Sequence, residues 1–199
     1  MLYKVSERLT DRLITKGVIT QENKDIYIYG FQLSISFLLS TISIILIGLL
    51  IGRLSETALF LIIYILLRSY SGGYHANSYI ACFAITIGVY FSVILLSELI
   101  SVNTISYIIL SIIGIVLLAL LAPVRNIHKK ISSKDGIKYK IISLCLYIIF
   151  IVLGMFLSTK DVKLGNTVFF ALCADLINLF PNCLRRNTIK IKEEEKCLK

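Results

Sequence analysis

Apolar residues in this chain fall into long unbroken runs, not into the short stripes by which a soluble helix or strand marks one buried face. Six runs stand out, at 26–52, 54–67, 79–100, 105–122, 141–157 and 167–181. A helix needs roughly 20 apolar residues to cross a bilayer. Four of the runs approach or pass that length, whereas 54–67 and 167–181 fall short and on length alone suit a re-entrant or interfacial segment equally well. Ahead of the first run, Lys4, Arg8, Arg12 and Lys16 recur every four residues beside Val5, Leu9 and Leu13, which predicts an amphipathic helix lying in the membrane interface. Such an arm serves either as an anchor on lipid or as a grip for an acidic or amphipathic partner.

Charge decides the number of crossings. If all six runs cross, every one of the 21 Lys and Arg residues except Arg53, Lys160 and Lys163 lies on one side. That asymmetry is the positive-inside pattern, so it predicts six spans with both termini in the cytoplasm. If 54–67 failed to cross, the basic loop 123–140 would be carried outside, against the rule. The formal net charge of +9 is then a topology signal with headgroup contact, and no nucleic-acid partner is expected. The composition agrees, since 57% of the residues are hydrophobic. An ordinary soluble chain runs at about 45–50%. The expected fold is an all-α membrane protein of about six transmembrane helices behind an N-terminal amphipathic interfacial helix. Its parts are an arm (1–25), a six-span domain (26–181) and a charged tail (182–199), the tail frayed. The first run is too long for the apolar core of a cleavable signal peptide. Five cysteines, odd in number and placed in or near spans or in the tail, predict free thiols and no disulfide framework.

Within the first run, Ser36, Ser40 and Ser43 share a face that ends in Gly48-x-x-x-Gly52, a small-residue surface for close helix packing. Gln32 in the same run needs a partner, from packing or from an active site. Asp175 in the last run and Glu98 near the end of the third read as the most deeply buried acids, and intramembrane carboxylates are candidate functional groups. No internal repeat is visible, and polar residues within spans are few, which argues against a transporter.

The segment from Arg68 to Ser78 differs in character from the rest: Arg68-Ser-Tyr-Ser-Gly72-Gly73-Tyr-His75-Ala-Asn77-Ser, with Cys82 seven positions beyond the His. A thiol with pKa ~8.5 is only a few per cent ionised at neutral pH and needs a base to become a nucleophile. His75 is the nearest candidate. On a continuous helix the two residues share a face about 10 Å apart along the axis, a gap that a bend at Gly72-Gly73 would close. Arg68 either snorkels or supplies positive charge to an oxyanion. Spacing alone favours an ordinary surface His and a buried apolar Cys, and one Cys with one His falls short of a zinc ligand set, so neither metal nor cofactor is expected.

The order Arg68, Gly73, His75, Cys82, together with Ala122-Pro123 leading into a Lys-rich loop and a basic arm before six apolar runs, resembles AgrB. These are the accessory gene regulator membrane endopeptidases, which process quorum-sensing pro-peptides. The resemblance covers nearly the whole chain. It implies a cysteine endopeptidase in which Cys82 attacks a carbonyl of an AgrD-like pro-peptide, His75 moves the proton, and an internal Cys or Ser of the substrate closes a thiolactone or lactone ring. Where relatives carry further basic or His residues between the Arg and the Gly, this chain has Ser69, Tyr70 and Ser71. Supporting roles fall to Arg68 and Gly73, with Gln32 and Asp175 as further candidates; Asp175 either orients His75 or pairs with a polar group on a neighbouring helix. A homodimer is expected from the small-residue face and the family. The competing functions are a small peptide transporter or exporter in which Cys82 is inert, and a membrane scaffold or sensor.

Overall fold

The computed structural model describes residues 2–72, 79–121 and 133–197, with side chains described for 2–72, 80–121 and 136–179. Among these residues the only regular elements are helices: α1 (Leu2–Thr15), a single 3-10 turn (Gln21–Asn23), α2 (Lys24–Leu50), α3 (Leu54–Ser71), α4 (Tyr79–Leu99), α5 (Thr104–Leu121), α6 (Ser133–Ser158) and α7 (Val162–Cys197). Six of them, α2 to α7, are long and apolar enough to cross a membrane, so the chain is a multi-pass membrane protein.

The two runs that were short for a span are the centre of the bundle. Half of the α7 window Val162–Leu179 is buried, and 39% of α3, against 22% for each of the windows in α2, α4 and α5. The buried positions of α7 (Val168, Ala171, Leu172, Asp175, Leu176, Leu179) and of α3 (Phe60, Leu61, Ile63, Tyr64, Leu67, Ser71) follow the three-and-four spacing of one helical stripe. A helix enclosed by other helices can carry polar residues that lipid would reject. Helices facing lipid must be apolar outside, and Leu38, Ile42 and Leu46 of α2, Ile105, Ile109 and Ile112 of α5, and Ile149, Val152 and Phe156 of α6 are all exposed.

Neighbouring helices run in opposite directions, so one end of the bundle gathers the end of α2, the start of α3, the end of α4 and the start of α7. Here the Arg53 guanidinium donates to Glu56 (3.3 Å) and to Glu98, and Lys163 Nζ donates to Glu98 Oε1 at 2.8 Å. Asn166, 3% exposed, donates to the carbonyls of Ser97 (3.0 Å) and Ile100 (2.8 Å) at the end of α4 and accepts from Val102 N–H (3.1 Å). The last carbonyls of a helix have no partner of their own, and Asn166 supplies that of Ser97 together with that of Ile100, the residue just past α4. Glu98 is therefore no buried acid: its side chain is 41% exposed and shared between two cations. Alternation of six crossings is what the charge pattern required, and Arg53 and Lys163, two of the three basic residues set apart by that pattern, do meet at one end.

Three further differences from the sequence reading have physical reasons. Gly48 is a packing glycine, since a Cβ there would collide with the Thr57 side chain. Gly52 instead adopts φ 70° with open space around it and makes the turn into α3, a conformation that glycine reaches without steric penalty. Helix α6 begins at Ser133, inside the stretch read as a basic loop, and α7 runs on to Cys197, through the tail expected to fray. Helix α1 packs against α2, with Ser6 and Thr10 of α1 fully buried and an ion pair of Lys24 with Asp11 at 2.8 Å. Val5 stays exposed, as a lipid-facing apolar stripe requires.

Close approach is repeated in the core. A Cβ on Gly114 of α5 would strike the Tyr147 ring of α6, whose hydroxyl donates to the Leu110 carbonyl at 3.0 Å. Gly114→Val is expected to destabilise the bundle by about 1–3 kcal/mol through overpacking. Gly88→Ala, with nothing within 4 Å of its Cβ, is expected to be neutral. Thermal unfolding of both variants in detergent checks this; equal midpoints would refute the packing assignment.

Candidate functional site

At the opposite end, α3 and α7 bring polar groups to the same level. Arg68 lies fourteen positions beyond Leu54, and Asp175 thirteen beyond Val162. At the rise of an α-helix each therefore sits about 20 Å along its axis from the ion-pair end. Tyr64 and Arg68 are one turn apart on α3, which stacks the guanidinium over the Tyr64 ring, 5.3 Å from its centroid, with Nη1 donating to the Tyr64 hydroxyl. Phe60 stacks beneath Tyr64 at 5.2 Å and fixes its ring.

Cys82 lies in the first turn of α4, half-buried and with a free thiol. One turn on, the Thr86 hydroxyl donates to the Cys82 carbonyl at 2.9 Å. The same hydroxyl lies beside that of Tyr64, and Arg68, Asp175 and Cys82 all lie in the surroundings of Tyr64. Asp175 on α7 is 2% exposed, with Arg68 as its counter-charge and the Ser71 hydroxyl as its polar neighbour. Polar groups of α7, α3 and α4 are thus brought to one end of the bundle: Asp175, Arg68, Tyr64, Thr86 and Cys82. A buried carboxylate is tolerated only with such compensation. Nearby, the rings of Tyr70 and Tyr139, 6.1 Å apart, join the ends of α3 and α6.

Of the sequence candidates, Arg68, Cys82 and Asp175 are thus gathered at one end, where Arg68 acts on Asp175 as an opposite charge. Gln32 is half-buried on α2 and has a polar partner of its own. Gly73 and His75 lie outside the described residues, as do Asn77, Ala122, Pro123 and the basic residues Arg125, His128, Lys129 and Lys130. Tyr64 and Thr86 escaped the sequence reading. The signal that could have found them is helical spacing, since each stands four positions from a candidate already chosen, Arg68 and Cys82. Cys145 is exposed on the outer face of α6 and Cys173 half-buried in α7, both free. Among the described residues no cluster of His, Cys, Asp and Glu could hold a metal ion.

Comparison with known proteins bears on the whole of this arrangement. The profile of AgrB, accessory gene regulator B, matches residues 6–179. A putative AgrB-like protein of Clostridium perfringens (strain SM101 / Type A) is 34% identical over 82 residues, 41% of this chain and 38% of the relative. A putative AgrB-like protein 2 of Clostridium perfringens (strain 13 / Type A) is 32% identical over the same shares of both chains. The matched stretch thus spans well under half the length of these relatives. No solved structure matches. The family match takes in the arm from Ser6, all of α2 to α6, and α7 as far as Leu179, Asp175 included, and on that extent the chain belongs to the accessory gene regulator B family.

Proposed function

We propose that this protein is a membrane-embedded cysteine endopeptidase that cuts a quorum-sensing pro-peptide on the C-terminal side of its signal segment and promotes closure of the product into a thiolactone or lactone. The observation that carries the reading is the gathering of a free thiol, Cys82, with Arg68, Tyr64, Thr86 and a buried Asp175 at one end of an otherwise apolar bundle. Family membership supplies the class of substrate.

In this reading Cys82 Sγ attacks the scissile carbonyl and His75 accepts the thiol proton, then returns it to the leaving amine as the C–N bond breaks. The acyl group rests on Cys82 as a thioester. A Cys or Ser side chain of the same substrate attacks next, its proton passes through His75 to the Cys82 thiolate, and the ring closes. Transfer from thiol to thiol is nearly isoenergetic, so the protein needs chiefly to hold the attacker close and keep water away. A thiol in the first turn of a spanning helix, half out of bulk water, serves both needs. The substrate would meet this site from the cytoplasm, where the arm 1–25 contacts lipid headgroups and the six-span domain 26–181 and tail 182–199 begin and end. Two copies would associate as a homodimer.

Cys82→Ala and His75→Ala are each expected to lower cleavage below about a thousandth of the wild-type rate without loss of membrane insertion, because a nucleophile and its base act as a unit. The assay is co-expression with the peptide encoded by a short reading frame beside the gene, followed by mass analysis. Full cleavage by either variant would sink the assignment. Replacing Cys145, Cys173, Cys183 and Cys197 singly by Ala should leave cleavage intact.

Orientation is tested separately. In a background without cysteines, single Cys residues at Ser101 and Lys160 are expected to react with an impermeant maleimide on intact cells, and those at Ser69 and Ser133 only after permeabilisation. Labelling of position 69 from outside would reverse the topology.

The covalent intermediate gives a further expectation. A substrate whose ring-forming Cys or Ser is changed to Ala leaves the acyl group on Cys82 only water or reversal as exits. An adduct stable to denaturation and released by neutral hydroxylamine should then accumulate, and it should be absent from Cys82→Ala. No adduct on the wild-type thiol, with the unmodified substrate still cut, would require a different nucleophile.

A further inference from the structure

Helix α4 is held unevenly along its length. Its second half is packed into the bundle, with Tyr90 fully enclosed and Val93 and Ser97 nearly so. Its first half is not: Ile80, Ala84 and Ile85 are exposed, and Ala81, Cys82, Phe83 and Thr86 are only half-buried. The turn that carries Cys82 therefore takes little of its position from close packing, and polar contacts gain weight there.

Two hydroxyls supply such a contact. Thr86, one turn beyond Cys82, donates to the Cys82 carbonyl at 2.9 Å. A hydroxyl has a single proton, so Thr86 Oγ1 meets the Tyr64 hydroxyl beside it as an acceptor. Tyr64 in turn accepts from Arg68 Nη1, and a guanidinium only donates, so the Tyr64 proton is left for Thr86. Tyr64 is also firmly held. It is 5% exposed, its ring stacks on Phe60 at 5.2 Å and carries the Arg68 guanidinium 5.3 Å from its centroid, and Phe60 reaches Tyr90 at 5.4 Å in the well-packed half of α4. We propose that Tyr64 and Thr86 form one positioning unit that sets the Cys82 thiol in register with Arg68. The Tyr64 hydroxyl accepts from Arg68 on its own helix and donates to Thr86 on α4, which joins the guanidinium to the thiol-bearing turn through a single oxygen. The inference rests on the endopeptidase reading and deepens it by naming what aligns the nucleophile. Both residues act through Cys82 and Arg68, so they are positioning residues.

The full-length protein reconstituted in vesicles with a synthetic copy of the pro-peptide tests this. Tyr64→Phe keeps the ring and its stacking and loses only the oxygen, while Thr86→Val keeps the shape of the side chain and loses only the hydroxyl. Misplacing an attacking atom by about 1 Å can cost roughly two orders of magnitude in rate, so each variant is expected to lower kcat at least about tenfold at constant KM. Thr86→Ser, which keeps a hydroxyl, should recover most of that loss. Because the two residues act as a unit, the double variant Tyr64→Phe/Thr86→Val should lose no more than the larger single loss. Should Tyr64→Phe fail to insert, the Thr86 variants decide: a low kcat in Thr86→Val with recovery in Thr86→Ser supports the inference, and equal kcat in the two overturns it. Thr86→Ala takes the place of Thr86→Val if that variant fails to insert. Wild-type kcat in either single variant, losses that multiply in the double variant, or a change confined to KM likewise overturn the inference. Cleavage that persists in Cys82→Ala would instead remove the endopeptidase reading itself, so the two failures are told apart.

Discussion

Hydrocarbon offers no partner to a polar group, and the whole arrangement of this chain follows from meeting that condition inside the protein. Polar side chains within the spans are tied back to their own helix, as Ser40 is to the Ser36 carbonyl at 2.9 Å, reach a neighbouring helix, as Tyr147 does, or are carried on the helices that other helices enclose. Helices α3 and α7 hold Glu56, Thr57, Arg68, Asn166 and Asp175, and they are also the two most buried. Because they are sheltered they can be the least apolar. Their place at the centre in turn lets one helix reach across to another, as Thr57 does to Tyr90 at 2.8 Å and Asn166 to the end of α4.

That constraint explains where the sequence was legible and where it was not. Lipid-facing spans announce themselves, since every outward position must be apolar, and the runs at 79–100 and 105–122 match α4 and α5 within a residue or two. The enclosed spans read as short because Arg68 at one boundary and Asn166 at the other interrupt the apolar run while the helix continues past them. Charge asymmetry recovered them, because it depends on what lies between spans and not on the spans themselves. The start of α6 at Ser133 was hidden for the opposite reason: Lys134, Lys138 and Lys140 are as compatible with a helix leaving the membrane as with a loop.

The candidate site was legible in its chemistry and not in its connections. Arg68, Cys82 and Asp175 could be chosen from residue type and setting alone, but that Arg68, bonded to a tyrosine of its own helix, also acts on the Asp175 carboxylate depends on how α3 meets α7, which no local pattern encodes. Glu98 shows the same limit with the opposite result. It ends an apolar run just as Asp175 interrupts one, yet it lies at the surface between Arg53 and Lys163, because α4 finishes where two other helices deliver cations. Depth in a bundle is a property of neighbours, so two acids of similar sequence context take unlike roles.

The two ends of the bundle are finished differently, and the difference bears on how a thiol at one of them would work. At the ion-pair end the groups saturate one another: Arg53 and Lys163 share Glu98, Asn166 closes the carbonyls of α4, and Tyr107 donates to the Gly165 carbonyl at 2.5 Å. Such mutual satisfaction holds helix ends in one arrangement. At the Cys82 end the network stops one hydrogen bond short, at a buried carboxylate oxygen. A bundle fastened at its far end can carry that deficit without rearranging, because α3, α4 and α7 are already fixed in direction and level. In a bundle fastened in this way, the cost of aligning Cys82 with its neighbours is met when the protein folds.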